Sequence, residues 1–358
     1  MEYFFVFIIA IIFAYLADKY YSKTKIRYLF LVLAILPLVL MAALRAHTIG
    51  IDVDMYITPT YDDAKTVKGF TAFINSTDKE YAFWGLQYLV AHLFGTLFSV
   101  HFVNQLIIIL PIVLLMCYVK EEYNTKIWQM YALYLFLQYN ISLCIIRQNV
   151  AFSLFLLGYL FLLKKKYPLF IIFTGIAGYS HNSTIIPIIC FCILYFTRNF
   201  VTTKKAKFIL ILGLVLITLG YNYLITNFGF LIDDMYISRM EGADKNSGGY
   251  LTLAFNFVLV ILPFLMYKKS EKGIYYLNYI PAIGLVLSII ARNSVYIGRL
   301  AIPFMIMTCI TVPVCLRKTK WLYNVLLLVT IIFWYITYID RGLWGTYPYV
   351  MDLSYNMF

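Results

Sequence analysis

Charge is scarce in this 358-residue chain: Asp, Glu, Lys and Arg make up 13% of it, against 63% hydrophobic residues. That scarcity excludes the pair of soluble domains its length alone would allow. Acids are scarcer still, 17 against 29 Lys and Arg, for a net charge of +12. Such an excess fits a nucleic-acid partner only if the cations share a face. Here they sit in short clusters between apolar runs, the signature of membrane topology, so no nucleic-acid partner is expected. Cysteine is sparse too. The six lie in or beside apolar runs, none with zinc-ligand spacing, and read as small hydrophobes. The chain lacks a P-loop, an acidic metal motif and a convincing internal repeat. It also lacks a secretory signal: Glu2 stands where a basic n-region belongs and no small-residue cleavage site follows, so the first helix is expected to be retained.

Long apolar runs are what the chain has instead. Several approach or exceed the roughly 18–20 residues a helix needs to cross a bilayer. They are continuous rather than alternating, which excludes a β-barrel, and open sheets do not survive in lipid. The expectation is an all-α polytopic membrane protein, a single integral membrane domain over 1–358 with about twelve transmembrane helices. The spans fall near 3–16, 28–44, 101–119, 127–146, 148–163, two short helices within 167–196, 208–224, 251–267, 274–291, 296–316 and 321–339. Two polar segments interrupt them. Residues 45–100 include Tyr81–Val100, read as an interfacial amphipathic helix. Residues 225–250 hold Asp233, Asp234, Arg239, Glu241 and a Ser-Gly-Gly, and are expected to act as a flap. Counted over alternate loops, one side carries 19 of the 29 basic residues and 4 acids (Asp18, Glu121, Glu122, Glu271). The positive-inside rule makes that side cytoplasmic, with both termini and both polar segments opposite.

Polar chemistry gathers on the extracytoplasmic side. Leu44–Tyr56 holds Arg45, His47, Gly50, Asp52 and Asp54, a rare density in so apolar a chain. Arg45, Arg147, Arg292 and Arg299 stand at span ends. Such arginines either snorkel to headgroups or face a cavity or partner. Four together, with His181 at the turn between two short spans, favour an anion site in which guanidinium forks hold phosphate oxygens. His181 can take a proton near neutral pH, or serve as a structural residue bonded to backbone. The Asp52-x-Asp54 spacing can hold a metal for a nucleotide sugar in soluble enzymes, but no nucleotide sugar is expected outside the cytoplasm, and a plain turn accounts for it equally. Glu80 reads as a loop anchor or an acceptor contact. The 33 tyrosines fit interfacial belts and sugar-binding faces.

The order of these motifs resembles the EpsG family, which comprises Wzy-type bacterial exopolysaccharide and O-antigen polymerases. Arg45-x-x-Thr48-Ile-Gly50-x-Asp52-x-x-x-Tyr56 is similar to that family's segment after its second helix. Glu80-Tyr-Ala-Phe-Trp-Gly85 resembles its Glu-x-x-Phe segment, and Arg147-Gln-Asn-Val-Ala151 its Arg-x-x-x-Ala helix start. Ser180-His181-Asn-Ser183 resembles its Phe-His-x-Ser turn, and Tyr347-Pro348-Tyr349 its terminal Pro-Tyr. Tyr179-Ser180 departs from the usual aromatic before the histidine, and Asp54 is extra. The resemblance implies a GT-C-like membrane fold, an undecaprenyl-pyrophosphate-linked glycan as donor and acceptor, and a chain-length regulator protein as a possible partner. It implies no cofactor and no metal, because the lipid pyrophosphate carries the activation. On this reading His181 is the base and Arg147, Arg292 and Arg299 hold pyrophosphate. Arg45, Asp52, Tyr56, Glu80 and Arg239 serve glycan contact or site architecture. The competing readings are an O-antigen ligase, a single-sugar transferase using a lipid carrier, a lipid-linked glycan flippase and a membrane acyltransferase.

Overall fold

The computed structural model describes residues 2–77, 80–201, 249–266, 276–290 and 295–353. The expected helix over 208–224, Arg239, Arg292 and nearly all of the 225–250 segment lie outside the described residues. Among the described residues the chain is helical, with only an isolated bridge between Arg45 and Met351. Five helices among the described residues are long and apolar enough to cross a membrane: Thr24–Ala43, Leu97–Tyr123, Ile146–Leu163, Gly298–Leu316 and Lys320–Asp340. Shorter apolar helices cover Tyr167–Ser180, Asn182–Phe196, Tyr250–Met266 and Tyr276–Ile290. The protein is an all-α, membrane-embedded one.

Two compact units divide the chain, Met1–Ile185 with Thr319–Phe358, and Ile186–Lys318. The first contains α1 (Glu2–Lys19), α2 (Thr24–Ala43), α3 (Thr58–Thr66), α4 (Phe70–Ser76), α5 (Tyr81–Phe94), α6 (Leu97–Tyr123), α7 (Ile127–Tyr134), α8 (Asn140–Cys144), α9 (Ile146–Leu163) and α10 (Tyr167–Ser180). A π-helical turn, Leu135–Tyr139, joins α7 to α8. The second holds most of α11 (Ile185–Phe196), then α12 (Tyr250–Met266), α13 (Tyr279–Ile290), α14 (Val295–Met305) and α15 (Thr308–Leu316). There Gly284 lets α13 approach α14 closely, since a Cβ at that position would lie 2.8 Å from Phe304 Cβ. The chain returns to the first unit with α16 (Lys320–Trp334).

Short helices run through the polar segment. Residues 45–80 include a π-helical turn, Val53–Ile57, with α3 and α4 after it. Val53, Ile57, Tyr61 and Ala64 recur at helical spacing, and all four are buried in one core with Phe73, Phe83 and Trp84. The expected Tyr81–Val100 helix is split. Gly95 ends α5 in the left-handed conformation (φ 71°), and the Thr96 hydroxyl caps α6 by accepting from Ser99 N at 3.3 Å. Gln87 of α5 pairs with Asn104 of α6 through two amide hydrogen bonds of 2.9 and 3.0 Å, both side chains buried.

In two of the helices a carbonyl one turn before a proline accepts from a neighbouring helix. A helical proline lacks the N–H and its ring opens the preceding turn. In α2, three residues before Pro37, the Ala34 carbonyl accepts the Tyr131 hydroxyl at 3.0 Å. In α6, three residues before Pro111, the Ile108 carbonyl accepts the Ser153 hydroxyl at 3.0 Å. Three other tyrosines donate to helix carbonyls: Tyr139 to Leu38 O, Tyr323 to Gln129 O and Tyr338 to Leu137 O. These rings supply the hydrogen bonds that lipid cannot. At the basic end, buried Asp18 forms an ion pair with Lys120 Nζ at 2.7 Å and accepts a hydrogen bond from Trp128 N at 3.0 Å, tying α1 to α6 and α7.

Candidate functional site

The site begins with a helical hairpin. Helix α9 runs 18 residues from Ile146, and α10 runs back 14 residues to Ser180. At 1.5 Å per residue these are about 27 and 21 Å long. The tight turn at Lys164–Lys166 makes them antiparallel, with Lys166 N donating to Phe161 O and Lys165 N to Leu162 O. Gly158 lets the two helices pack closely, since a Cβ there would lie 3.0 Å from Thr174 Oγ1. Arg147 near the start of α9 and His181 just past the end of α10 are therefore brought to the same end of the hairpin.

Glu80, at the N-terminus of α5, joins them. One carboxylate oxygen accepts from Arg147 Nη1 at 3.0 Å, and the other accepts from His181 Nδ1. The three side chains are 9%, 14% and 20% exposed for Glu80, Arg147 and His181. That leaves the charges largely desolvated but the histidine reachable. The Arg147 guanidinium lies 4.1 Å from the Tyr56 ring centroid and 5.5 Å from that of Trp84, so aromatic faces fix its plane. Burial pushes the Glu80 carboxyl up, but the His181 hydrogen bond, the His181 charge and Arg147 together outweigh it and hold the carboxyl below its ordinary value. A carboxylate only accepts, so Nδ1 donates, and in the neutral form of the ring Nε2 is the basic nitrogen. The arrangement can take a proton at Nε2 and stabilise the resulting imidazolium through Glu80.

Arg45 is 2% exposed. Its Nη1 donates to the Leu143 carbonyl at 2.9 Å, and its Nη2 lies 3.3 Å from His101 Nδ1. Gly50 (φ 93°) abuts the same carbonyl: a Cβ there would lie 2.4 Å from Leu143 O. The segment after α16 straps this loop. Ala46 N donates to Val350 O, Gly50 N to Gly345 O and Asp352 N to Leu44 O. Tyr349 donates to Met41 O at 2.7 Å and packs edge-on against Tyr3, and the neighbouring Tyr347–Pro348 bond is cis.

The residues expected to act together fall into three groups. Glu80, His181, Arg147 and Tyr56 meet. Arg45 and Asp52 are buried, Asp52 4% exposed; of the two roles open to them, architecture is the one this burial favours. Arg299 lies half-buried on α14 in the second unit, while Arg239 and Arg292 fall outside the described residues. Sequence reading missed His101, the Leu143 carbonyl and the strapping role of the tail. A histidine inside a long apolar run was the one available signal for His101. Among the described residues no cluster of three or more His, Cys, Asp and Glu is placed to hold a metal ion.

Neither a curated protein nor a solved structure matches the chain. A family model does match, over residues 28–351 of the 358, a stretch that includes Glu80, Arg147, His181, the Arg45 loop and the strap through Met351: the chain belongs to the EpsG family.

Proposed function

We propose that this protein is a polysaccharide polymerase, a membrane glycosyltransferase that joins oligosaccharide repeat units carried on undecaprenyl pyrophosphate into exopolysaccharide, capsule or O-antigen. Membership of the EpsG family supports the polymerase role in exopolysaccharide synthesis. The observation that carries the chemistry is the single carboxylate of Glu80 shared by His181 and Arg147. Glycosyl transfer from a lipid pyrophosphate needs a base for the acceptor hydroxyl and a cation for the departing anion. A histidine and an arginine locked to one carboxylate supply both within one small cluster.

In the proposed reaction the acceptor hydroxyl oxygen attacks the anomeric carbon of the donor. The carbon–oxygen bond to pyrophosphate breaks, and the lipid pyrophosphate leaves with the electron pair. His181 Nε2 takes the hydroxyl proton, while Glu80 holds the ring and balances its new charge. The departing pyrophosphate is assigned to Arg147, and Arg292 and Arg299 are assigned to the same anion on the resemblance alone; a planar fork is better matched to it than an ammonium. Tyr56 and Arg239 serve the glycan side, and Arg45 and Asp52 hold the architecture. No metal takes part. The protein works as one integral domain of twelve spans, GT-C-like, in the bacterial inner membrane. Its site opens to the periplasm or cell exterior, and a chain-length regulator is a possible partner.

Purified protein in liposomes, given lipid-pyrophosphate-linked repeat units, tests this. A ladder of products spaced by one repeat is expected. A single addition would assign a ligase or single-sugar transferase, and passage of lipid-linked glycan across the bilayer without bond formation would assign a flippase.

A further inference from the structure

We infer that Arg45 is a positioning residue for Arg147: with Gly50 and His101 it holds the Leu143 carbonyl, and so sets the helix break from which Arg147 enters the site. The last carbonyls of a helix have no partner within it. Leu143 O is one of these, because α8 ends at Cys144 and Ile145 leaves helical geometry (φ −96°, ψ 67°) before α9 begins at Ile146. Arg147 follows Leu143 by four residues and the break by two. The direction in which α9 leaves the break therefore decides where its guanidinium falls.

Three contacts fix that break. Arg45 Nη1 caps the Leu143 carbonyl at 2.9 Å. Gly50 closes on the same oxygen so tightly that no other residue fits, since any Cβ would stand 2.4 Å from it. His101 Nδ1 accepts from Arg45 Nη2 at 3.3 Å, which orients the fork and puts the His101 ring proton on Nε2. The strap from Gly345 to Asp352 bonds the Arg45 loop at Leu44, Ala46 and Gly50, so the clamp is held from outside as well. A buried guanidinium is a demanding way to cap one carbonyl. Its use here is accounted for by the second contact: one rigid fork ties α6, through His101, to the end of α8. Lysine carries the charge but not the fork, and cannot hold both at fixed geometry.

The inference rests on the reading that Arg147 serves the anionic end of the donor. The test measures equilibrium binding of a labelled polyprenyl-pyrophosphate oligosaccharide to full-length protein in nanodiscs, alongside the melting temperature of each variant. Arg45→Lys and His101→Leu are each expected to weaken binding about 10-fold, a size typical of coupling between residues that share a network. His101→Gln, which keeps an acceptor for Nη2, is expected to restore it. Combined with Arg147→Lys, neither variant should weaken binding further, because the group being positioned is already altered. A purely structural Arg45 would lower the melting temperature and leave the two losses to multiply. Multiplying losses, or unchanged binding in both Arg45→Lys and His101→Leu, would overturn the inference alone. Unchanged binding in the single Arg147→Lys variant would overturn the role of Arg147 itself, and the inference with it. If Arg45→Lys is not recovered folded, the His101 pair completes the same cycle.

Discussion

Replacing Glu80 by glutamine keeps the size and one acceptor oxygen of the side chain but removes the charge that His181 and Arg147 share. The expected magnitude follows from the geometry. Removing one partner of a fully buried ion pair costs about 3–5 kcal/mol, because the other charge is stranded. Here the partners are 14% and 20% exposed, so water recovers part of that loss. Hydrogen bonds to charged groups are worth about 1.5–3 kcal/mol each. We therefore expect Glu80→Gln to destabilise the protein by about 2 kcal/mol, visible as a lower melting temperature in detergent. The effect on turnover should be larger. The glutamine amide can accept from Nδ1–H or donate to a bare Nδ1, so it no longer selects the tautomer of His181, and it carries no charge to balance the ring after it takes a proton. A general base contributes about 10²- to 10⁴-fold to rate, and losing its orienting carboxylate should forfeit much of that. Polymer formation from a lipid-pyrophosphate repeat unit, read as initial rate per folded protein, is the assay. A Glu80→Gln enzyme within a few-fold of wild type would refute the shared-carboxylate mechanism, and one that melts early but turns over normally would leave Glu80 only a structural anchor.

Other consequences can be checked separately. The Glu80 carboxyl is held below its ordinary value of 4.5, so its contribution to stability is full above that pH and is lost as pH falls through the depressed value. The gap in melting temperature between wild type and Glu80→Gln should accordingly close as pH falls through the depressed Glu80 value; a gap that widens toward acid would reverse the sign. Tyr131→Phe and Ser153→Ala each remove the hydroxyl serving a carbonyl just before a proline, and each should cost about 1 kcal/mol in denaturation measurements. No loss in either would mean that lipid or backbone rearrangement satisfies those carbonyls. A reporter active only in the cytoplasm, fused after Phe358, should stay silent, because 19 of 29 basic residues fall on the opposite side; activity there would overturn the topology.

Much of this architecture is legible in the sequence because lipid allows few solutions. The apolar runs give helices close to where they occur: residues 28–44 against Thr24–Ala43, 101–119 against Leu97–Tyr123, and 148–163 against Ile146–Leu163. The break at Ser180–Ser183 is visible because a polar turn interrupts thirty apolar residues. The helices between Arg45 and Glu80 are hard to see because they are short and their buried positions, Val53, Ile57, Tyr61 and Ala64, are spread among charged residues. Arg147 and His181 stand out as charge within apolar sequence. That Glu80 joins them does not follow from sequence, since it lies 67 and 101 residues away and its partner choice is a tertiary fact. Arg45 shows the converse. Sequence marks it as unusual, and only its burial against Leu143 and His101 distinguishes a clamp from a ligand contact.

The most direct test of the central claim separates proton transfer from donor binding in one preparation of His181→Ala protein. The same liposomes are assayed for polymer length and for equilibrium binding of the lipid-pyrophosphate donor. If His181 is the base held by Glu80, polymerisation falls by about 10²- to 10⁴-fold while donor affinity stays at the wild-type level. A normal product ladder from His181→Ala would contradict the account.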